Sequence, residues 1–443
     1  MGRFLGVGAV AIVSLAAGCS TLIGLGDFED QAGGAGASSG GMGGAGGADS
    51  GLGGASGSSG SGAAGSGGVA GQDGGDAGPS LTCLAATATT PVEVHSFATA
   101  TVGSNELLAF PNASGNSALL MFRVPGAVQI SEVDKSGKLG GTGTDNGFVP
   151  FLAESGQPSL WTTYGDDSGV ATKKSFNLSS GLALDSSTPL KVQADCTANS
   201  RYEFIAGTKG TYYALSCEGS GFKRIVAAKE GDASPVTVVE SSDDTTVQLQ
   251  GLGVDDSGGT PAYLIAAGEQ LSGTMTYYLS SEGWSPKVLT PKGGEVGFGH
   301  LGAFQAPAGG FVVIMASAEA GLKNFKLLTG VVKNSADFDS LTPLPFPVVG
   351  IPVLNELHAT PALLFGTYIS ADPKDPSLKL MAFSATTGAF LGLQDLYTPK
   401  ANETVIAADF VKLDELADYA VIYVVRSDTN TEKIFFRRFT CQY

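Results

Sequence analysis

Five cysteines and three histidines are the residues of this 443-residue chain best able to act as nucleophiles, metal ligands or cross-links. Cys83, Cys196, Cys217 and Cys441 form an even set, which behind a leader segment favours two disulfides. Three connectivities are open. Cys441 stands two residues from the end and Cys83 opens the part with folded-protein composition, while Cys196 and Cys217 lie 21 apart, so the expected pairs are 83 with 441 and 196 with 217. No C-x-x-C spacing occurs and the histidines are remote from the cysteines in sequence, so neither a metal nor a cofactor is expected. His300 and His358 each have a nearby carboxylate, Glu295 and Glu356. Such a pair could exchange protons if two neighbouring strands carried it to one place. No Gly-rich phosphate loop, HExxH, GxSxG elbow or EF-hand loop occurs, so no catalytic residue is assigned.

The fifth cysteine closes a different pattern. After Arg3, the apolar run Phe4–Ala17 is 14 residues long. Crossing a ~30 Å hydrocarbon core as a helix takes about 20 residues, so the run fits a signal-peptide core instead. Leu15-Ala16-Ala17-Gly18-Cys19 resembles a bacterial lipobox, with Ala16 where Leu, Val or Ile is commoner. The resemblance implies that residues 1–18 are a cleaved signal peptide and that the Cys19 thiolate carries diacylglycerol, with palmitate-type acylation and membrane attachment. Ser20 instead of Asp leans toward the outer membrane, on its periplasmic or cell-surface face. Residues 19–32 would begin the tether, and residues 33–80 would form a linker. Gly33–Gly78 holds 22 glycines in 46 residues with almost no bulky side chain. Such composition buries too little apolar area to offset its ordering entropy. The reach of ~50 flexible residues is roughly 40 Å. This order of cysteine, spacer and domain resembles the surface lipoproteins of delta-proteobacteria.

Charge limits the partners. The net charge is −17, and residues 1–80 contribute six acids against one base. The remaining 36 acids and 24 bases leave the folded part, residues 81–443, near −12. An acidic surface repels phosphate backbones, so nucleic acid is not an expected partner.

The elements that must position any site show a repeat. Runs rich in β-branched and aromatic residues begin at Ala118, Ser159, Thr211, Ala262, Phe311, Ala362 and Tyr419, in steps of 41, 52, 51, 49, 51 and 57 residues. A period near 50 resembles the blades of a β-propeller, each with four antiparallel strands around a channel. The fold class expected is therefore all-β, a propeller of seven blades, with tandem β-sandwiches as the alternative. The last unit, at about Val405–Val411, Tyr419–Val425 and Lys433–Phe439, lacks a fourth strand, while Val92–Ala98 is spare. An N-terminal strand that completes the last blade would close the ring and bring Cys83 beside Cys441. His300, His358, Glu295, Glu356 and Asp409 then fall on or near innermost strands as a possible channel-facing ligand set. Glu106, Asp195 and Glu203 have similar placements, and His95 sits on the closing strand. The turns at Asp134, Asp166 and Asp255, each followed by Ser and Gly, occupy non-equivalent places and read as hairpin turns, not repeated ligand sites. Trp161 and Trp284 are either sugar platforms or blade packing. The function expected is a monomeric, lipid-anchored binding or assembly scaffold for a protein or glycan. A glycan-cleaving propeller enzyme and a structural surface-coat protein are the alternatives.

Overall fold

The computed structural model describes residues 82–442 apart from 86–89, 100, 103–106, 112–116, 126, 146–149, 152–158, 166–170, 178–182, 190–197, 208, 220, 233, 243–247, 269–272, 291–294, 320–324, 346–347, 358–362, 371, 373 and 414–417. Among the described residues the strands form seven antiparallel sheets, and the protein is an all-β propeller. The sheets open in turn with Leu107–Pro111, Pro150–Phe151, Ala198–Gly207, Leu249–Asp255, Glu295–Gln305, Gly350–Leu357 and Glu403–Lys412. The opening strands of the second to seventh sheets each lie against the next, and that of the seventh lies against that of the first.

Burial explains why the second strands were readable. In every sheet the periodic apolar run forms the second strand, as with Ala262–Gly268, Phe311–Glu319, Leu363–Ser370 and Asp418–Ser427. Neighbouring sheets cover both faces of these strands, so they need no polar alternation; every residue of Leu363–Ser370 is buried. The outermost strands alternate instead. Ser285–Leu289 keeps Val288 exposed beside half-buried positions. The core is thus a series of layers between sheets. One joins Leu364, Met381 and Phe383 to Val312 and Ile314, and the next joins Phe365 and Leu380 to Phe410 and Tyr423. Opening strands must approach closely around the axis, and small residues permit it. A Cβ on Gly253 would sit 2.7 Å from that of Ala303 on the neighbouring opening strand.

The seventh sheet contains Glu403–Lys412, Asp418–Ser427 and Glu432–Gln442, and takes its outer strand from the N-terminal side in two pieces. Thr82–Ala85 pairs with Phe439–Gln442, and Val92–Phe97 pairs with Glu432–Phe436. The second piece is the spare strand of the sequence; the first is an addition to it. Cys83 lies opposite Cys441 and is disulfide-bonded to it, as expected. Cys217 is disulfide-bonded too, while Cys196 lies outside the described residues. Two polar fasteners reinforce the closing strand. The Gln394 side-chain amide, on the outer strand Phe390–Tyr397 of the sixth sheet, accepts from the Cys83 backbone N–H at 2.7 Å and donates to the Cys83 carbonyl. Glu432 is fully buried; its Oε2 accepts from the backbone N–H groups of Thr101 and Val102 at 2.7 and 2.8 Å, and its Oε1 accepts from Arg426 Nε and Nη2 at 2.9 and 2.7 Å. That pair grips the chain where it passes from the closing strand into the first sheet.

Candidate functional site

Of the expected channel set, Glu295, His300, Glu356 and Asp409 fall on opening strands of their sheets. Glu295 opens its strand and His300 is the sixth of its eleven residues, whereas Glu356 is the last but one of Gly350–Leu357. Opening strands of successive antiparallel four-stranded sheets run in the same direction, and a strand rises about 3.3 Å per residue. Glu295 and Glu356 therefore sit toward opposite ends of the ring. His358 lies outside the described residues, as do Glu106, Asp195, the 166–169 turn and Cys19. Trp161 falls on Ser159–Gly165.

Asp409 lies on the opening strand of the seventh sheet. It is fully buried, with Oδ2 accepting from the Ala109 backbone N–H at 2.7 Å and Oδ1 accepting from its own neighbour Phe410 at 2.9 Å. A carboxylate removed from water must be hydrogen-bonded, and this one satisfies a backbone donor of the first sheet from the seventh. Glu203 is likewise buried. His95 packs against the rings of Phe97 and Phe122 at 4.5 and 5.3 Å, and burial lowers its pKa from the ordinary value.

The structure assembles a different group at one end of the third and fourth sheets. In each sheet the hairpin joining strands one and two and the hairpin joining strands three and four emerge on the same side. Here these are the turns around Lys209, Glu230–Asp232, Asp256–Thr260 and Ser280–Trp284. Asp256 is fully buried and accepts from the Lys209 backbone N–H at 2.7 Å, while Lys209 Nζ donates to the Gly258 carbonyl. Asp255 reaches the other way: its Oδ1 accepts from Ser257 N and Oγ and from Gln305, and its Oδ2 accepts from Gly310 N at 2.8 Å. One turn thus ties the fourth sheet to both neighbours, which is why its Asp-Asp-Ser-Gly sequence is structural. Burial alone would raise the Asp255 carboxyl. The donors Ser257, Gly310 and Gln305 overcome it and hold the group below the ordinary 3.8.

A folded-state pKa below the unfolded one gives stability that is present above the unfolded value and is lost as pH falls through the folded one. Asp255→Asn is therefore expected to cost stability at pH 7 and progressively less once the pH falls below about 3.8. Urea midpoints of the two proteins measured from pH 7 down to pH 3 check this; a constant gap would refute it.

Above these ties lie rings. Tyr212 and Tyr263 meet at 5.8 Å, Tyr263 and Trp284 at 6.2 Å with planes 43° apart, and Lys229 Nζ stands 5.9 Å over Tyr212. Tyr212 and Tyr213 are buried, while Tyr263 and Trp284 are half-buried. Burial first, then Asp232, pushes the Tyr213 hydroxyl up to about 12; burial, Asp232 and Tyr213 do the same for Tyr263. The phenols stay protonated at neutral pH, so each is able to donate a hydrogen bond and is not a base. Of this group the sequence offered only Trp284 as a platform; nothing in the sequence distinguished Tyr213, Asp232 or Tyr263 from ordinary strand and turn residues.

No protein-family model matches the chain, and no curated protein matches it in sequence. Three solved structures illustrate its structural likenesses. One is a Dos1 propeller: 12% identity, TM-score 0.41, covering 78% of this chain and 81% of that one. Another is an oligogalacturonate lyase in complex with manganese: 11%, 0.41, covering 81% and 90%. A third is the WD40 domain of Toxoplasma gondii coronin: 10%, 0.43, covering 81% and 86%.

Proposed function

We propose that this protein is a lipid-anchored extracytoplasmic propeller that works as a binding or assembly scaffold. The observation that carries the binding half is the cluster of half-buried rings, protonated phenols and a carboxylate at one end of the third and fourth sheets. Such groups hold a ligand by apolar contact and by directed donors and acceptors. The anchoring half rests on the Cys19 pattern and its Gly-rich spacer. Cysteine parity supports it. Cys83 and Cys441 are joined, and Cys217 is bonded. With Cys196 as the partner of Cys217, Cys19 is the one thiol left for a lipid. The attachment would be to the outer membrane, with the propeller held off its surface by the spacer.

In a diderm expression host, Cys19→Ala should abolish incorporation of radiolabelled palmitate and move the protein from the membrane to the soluble fraction. A mutant that remains in the membrane would remove the anchor from this reading. Screening residues 81–443 against a glycan array and by pull-down tests the scaffold half.

A further inference from the structure

We propose that the end of the third and fourth sheets binds a pyranose sugar, its C–H face against Tyr263 and Trp284 and its hydroxyls within reach of Asp232. This rests on the binding reading above and names the ligand class for that same site. The backbone supplies the first argument. Trp284 has φ 66°, the left-handed region, directly after Gly283 at 64°. For a bulky residue this is a genuine outlier, and such strain gathers where a side chain must be presented. Its backbone N–H is held at 3.0 Å by the Leu279 carbonyl, and the indole packs against the buried layer between the third and fourth sheets. The second argument is the shape of the wall. Tyr263 and Trp284, tilted by 43° and packed on the core between the third and fourth sheets, each keep part of an amphipathic ring exposed to solvent.

Asp232 supplies the third. It is exposed, accepts from the Lys229 backbone N–H at 3.0 Å, and has no salt bridge among the described residues. The Lys229 backbone holds Asp232 in this turn while the Lys229 ammonium stands over Tyr212, which places the carboxylate at the same end as the rings. The remaining choice is between a sugar and an organic cation. Lys209 and Lys229 stand at the same end as Asp232, Glu230 and the buried Asp256. They offset most of the negative field that an isolated cation would need. A pyranose presents an apolar face to the rings, and its hydroxyls accept as well as donate, so it suits a site with both signs.

The chain has two tryptophans, and Trp161→Phe leaves Trp284 as the sole indole reporter. Emission of this detergent-solubilised full-length variant would be titrated with the methyl glycosides of glucose, galactose, mannose and N-acetylglucosamine. The expected result is a saturable shift with at least one of them at millimolar concentration, weakened about tenfold or more by Asp232→Ala, a change of roughly 1.4 kcal/mol. Saturation-transfer NMR on the unmodified chain repeats the test without any substitution. Tighter binding of the cognate tetrasaccharide would assign a polymer as the source; equal affinity would assign a free sugar or chain end. No saturation by any glycoside, or saturation by tetramethylammonium alone, would overturn the proposal. A partner captured by the chain and unaffected by Trp284→Ala would leave the scaffold reading standing while removing the sugar.

Discussion

Cys83→Ala/Cys441→Ala is expected to lower the unfolding free energy by about 4–5 kcal/mol, read as a lower guanidinium midpoint with little change in slope. The bond joins positions 358 apart in sequence, so in the unfolded chain it closes nearly the whole domain into one loop. On the chain-entropy model that constraint is worth most for long loops, and the folded state contributes no compensating strain to the argument. Alanine, not serine, is the right replacement because both cysteines are buried and a hydroxyl there would need a new partner. The variant should still fold: Val92–Phe97 stays paired with Glu432–Phe436, and Gln394 still holds the Cys83 backbone through both of its amide groups. Local opening should change more than global stability does. Amide exchange of Thr82–Ala85 should rise toward that of a free strand end, while that of Asp418–Ser427 follows the global unfolding free energy alone. A loss below about 1 kcal/mol would mean that the unfolded chain is already compact enough to make the cross-link redundant.

What the sequence made legible follows from which faces are buried. Second strands are covered on both sides, so Phe311–Glu319 and Asp418–Ser427 appear as unbroken apolar runs whose spacing is the blade period. The closing strand was legible because the last unit lacked an edge partner and the two terminal cysteines asked for the same closure. Opening strands were the weak point. Glu295–Gln305 reads EVGFGHLGAFQ, and glycines at 297, 299 and 302 remove the side-chain alternation that would mark its register. Its start at Glu295 is therefore not marked by any pattern in the sequence. The partner of Asp409 was hidden for another reason. A lone Asp in an apolar strand looks like a ligand group, but its partner is a backbone N–H 300 positions away, which no local pattern reveals. The ring cluster at Trp284 lay beyond reach on the same ground, since turns from two sheets build it.

Arg426→Met is expected to cost about 3–5 kcal/mol, as much as removing the disulfide, although it deletes a single partly exposed side chain. The reason is what it leaves behind. Glu432 is fully buried and its Oε1 is held by Arg426 alone among the contacts described; without the guanidinium a buried carboxylate keeps only the two backbone donors on Oε2. Glu432→Gln should cost less, because its amide oxygen still accepts from Thr101 or Val102 while the charge is gone. In the double variant Arg426→Met/Glu432→Gln the orphaned charge disappears, so the loss should fall below the sum of the single losses by roughly 1–3 kcal/mol. Chemical denaturation of the four proteins checks the cycle, and a coupling near zero would show that water already screens the pair. The same pair also decides whether the closing strand is one device or two. Glu432 and Cys441 are nine residues apart on one strand, about 30 Å, so independent fasteners should give losses that add within about 0.5 kcal/mol when Arg426→Met is combined with Cys83→Ala/Cys441→Ala. If Thr82–Phe97 instead leaves the edge as a unit, releasing either end forfeits the contacts of both. The combined loss would then fall well short of the sum, and amides at Thr82–Ala85 and at Val92–Phe97 would exchange with a common opening free energy.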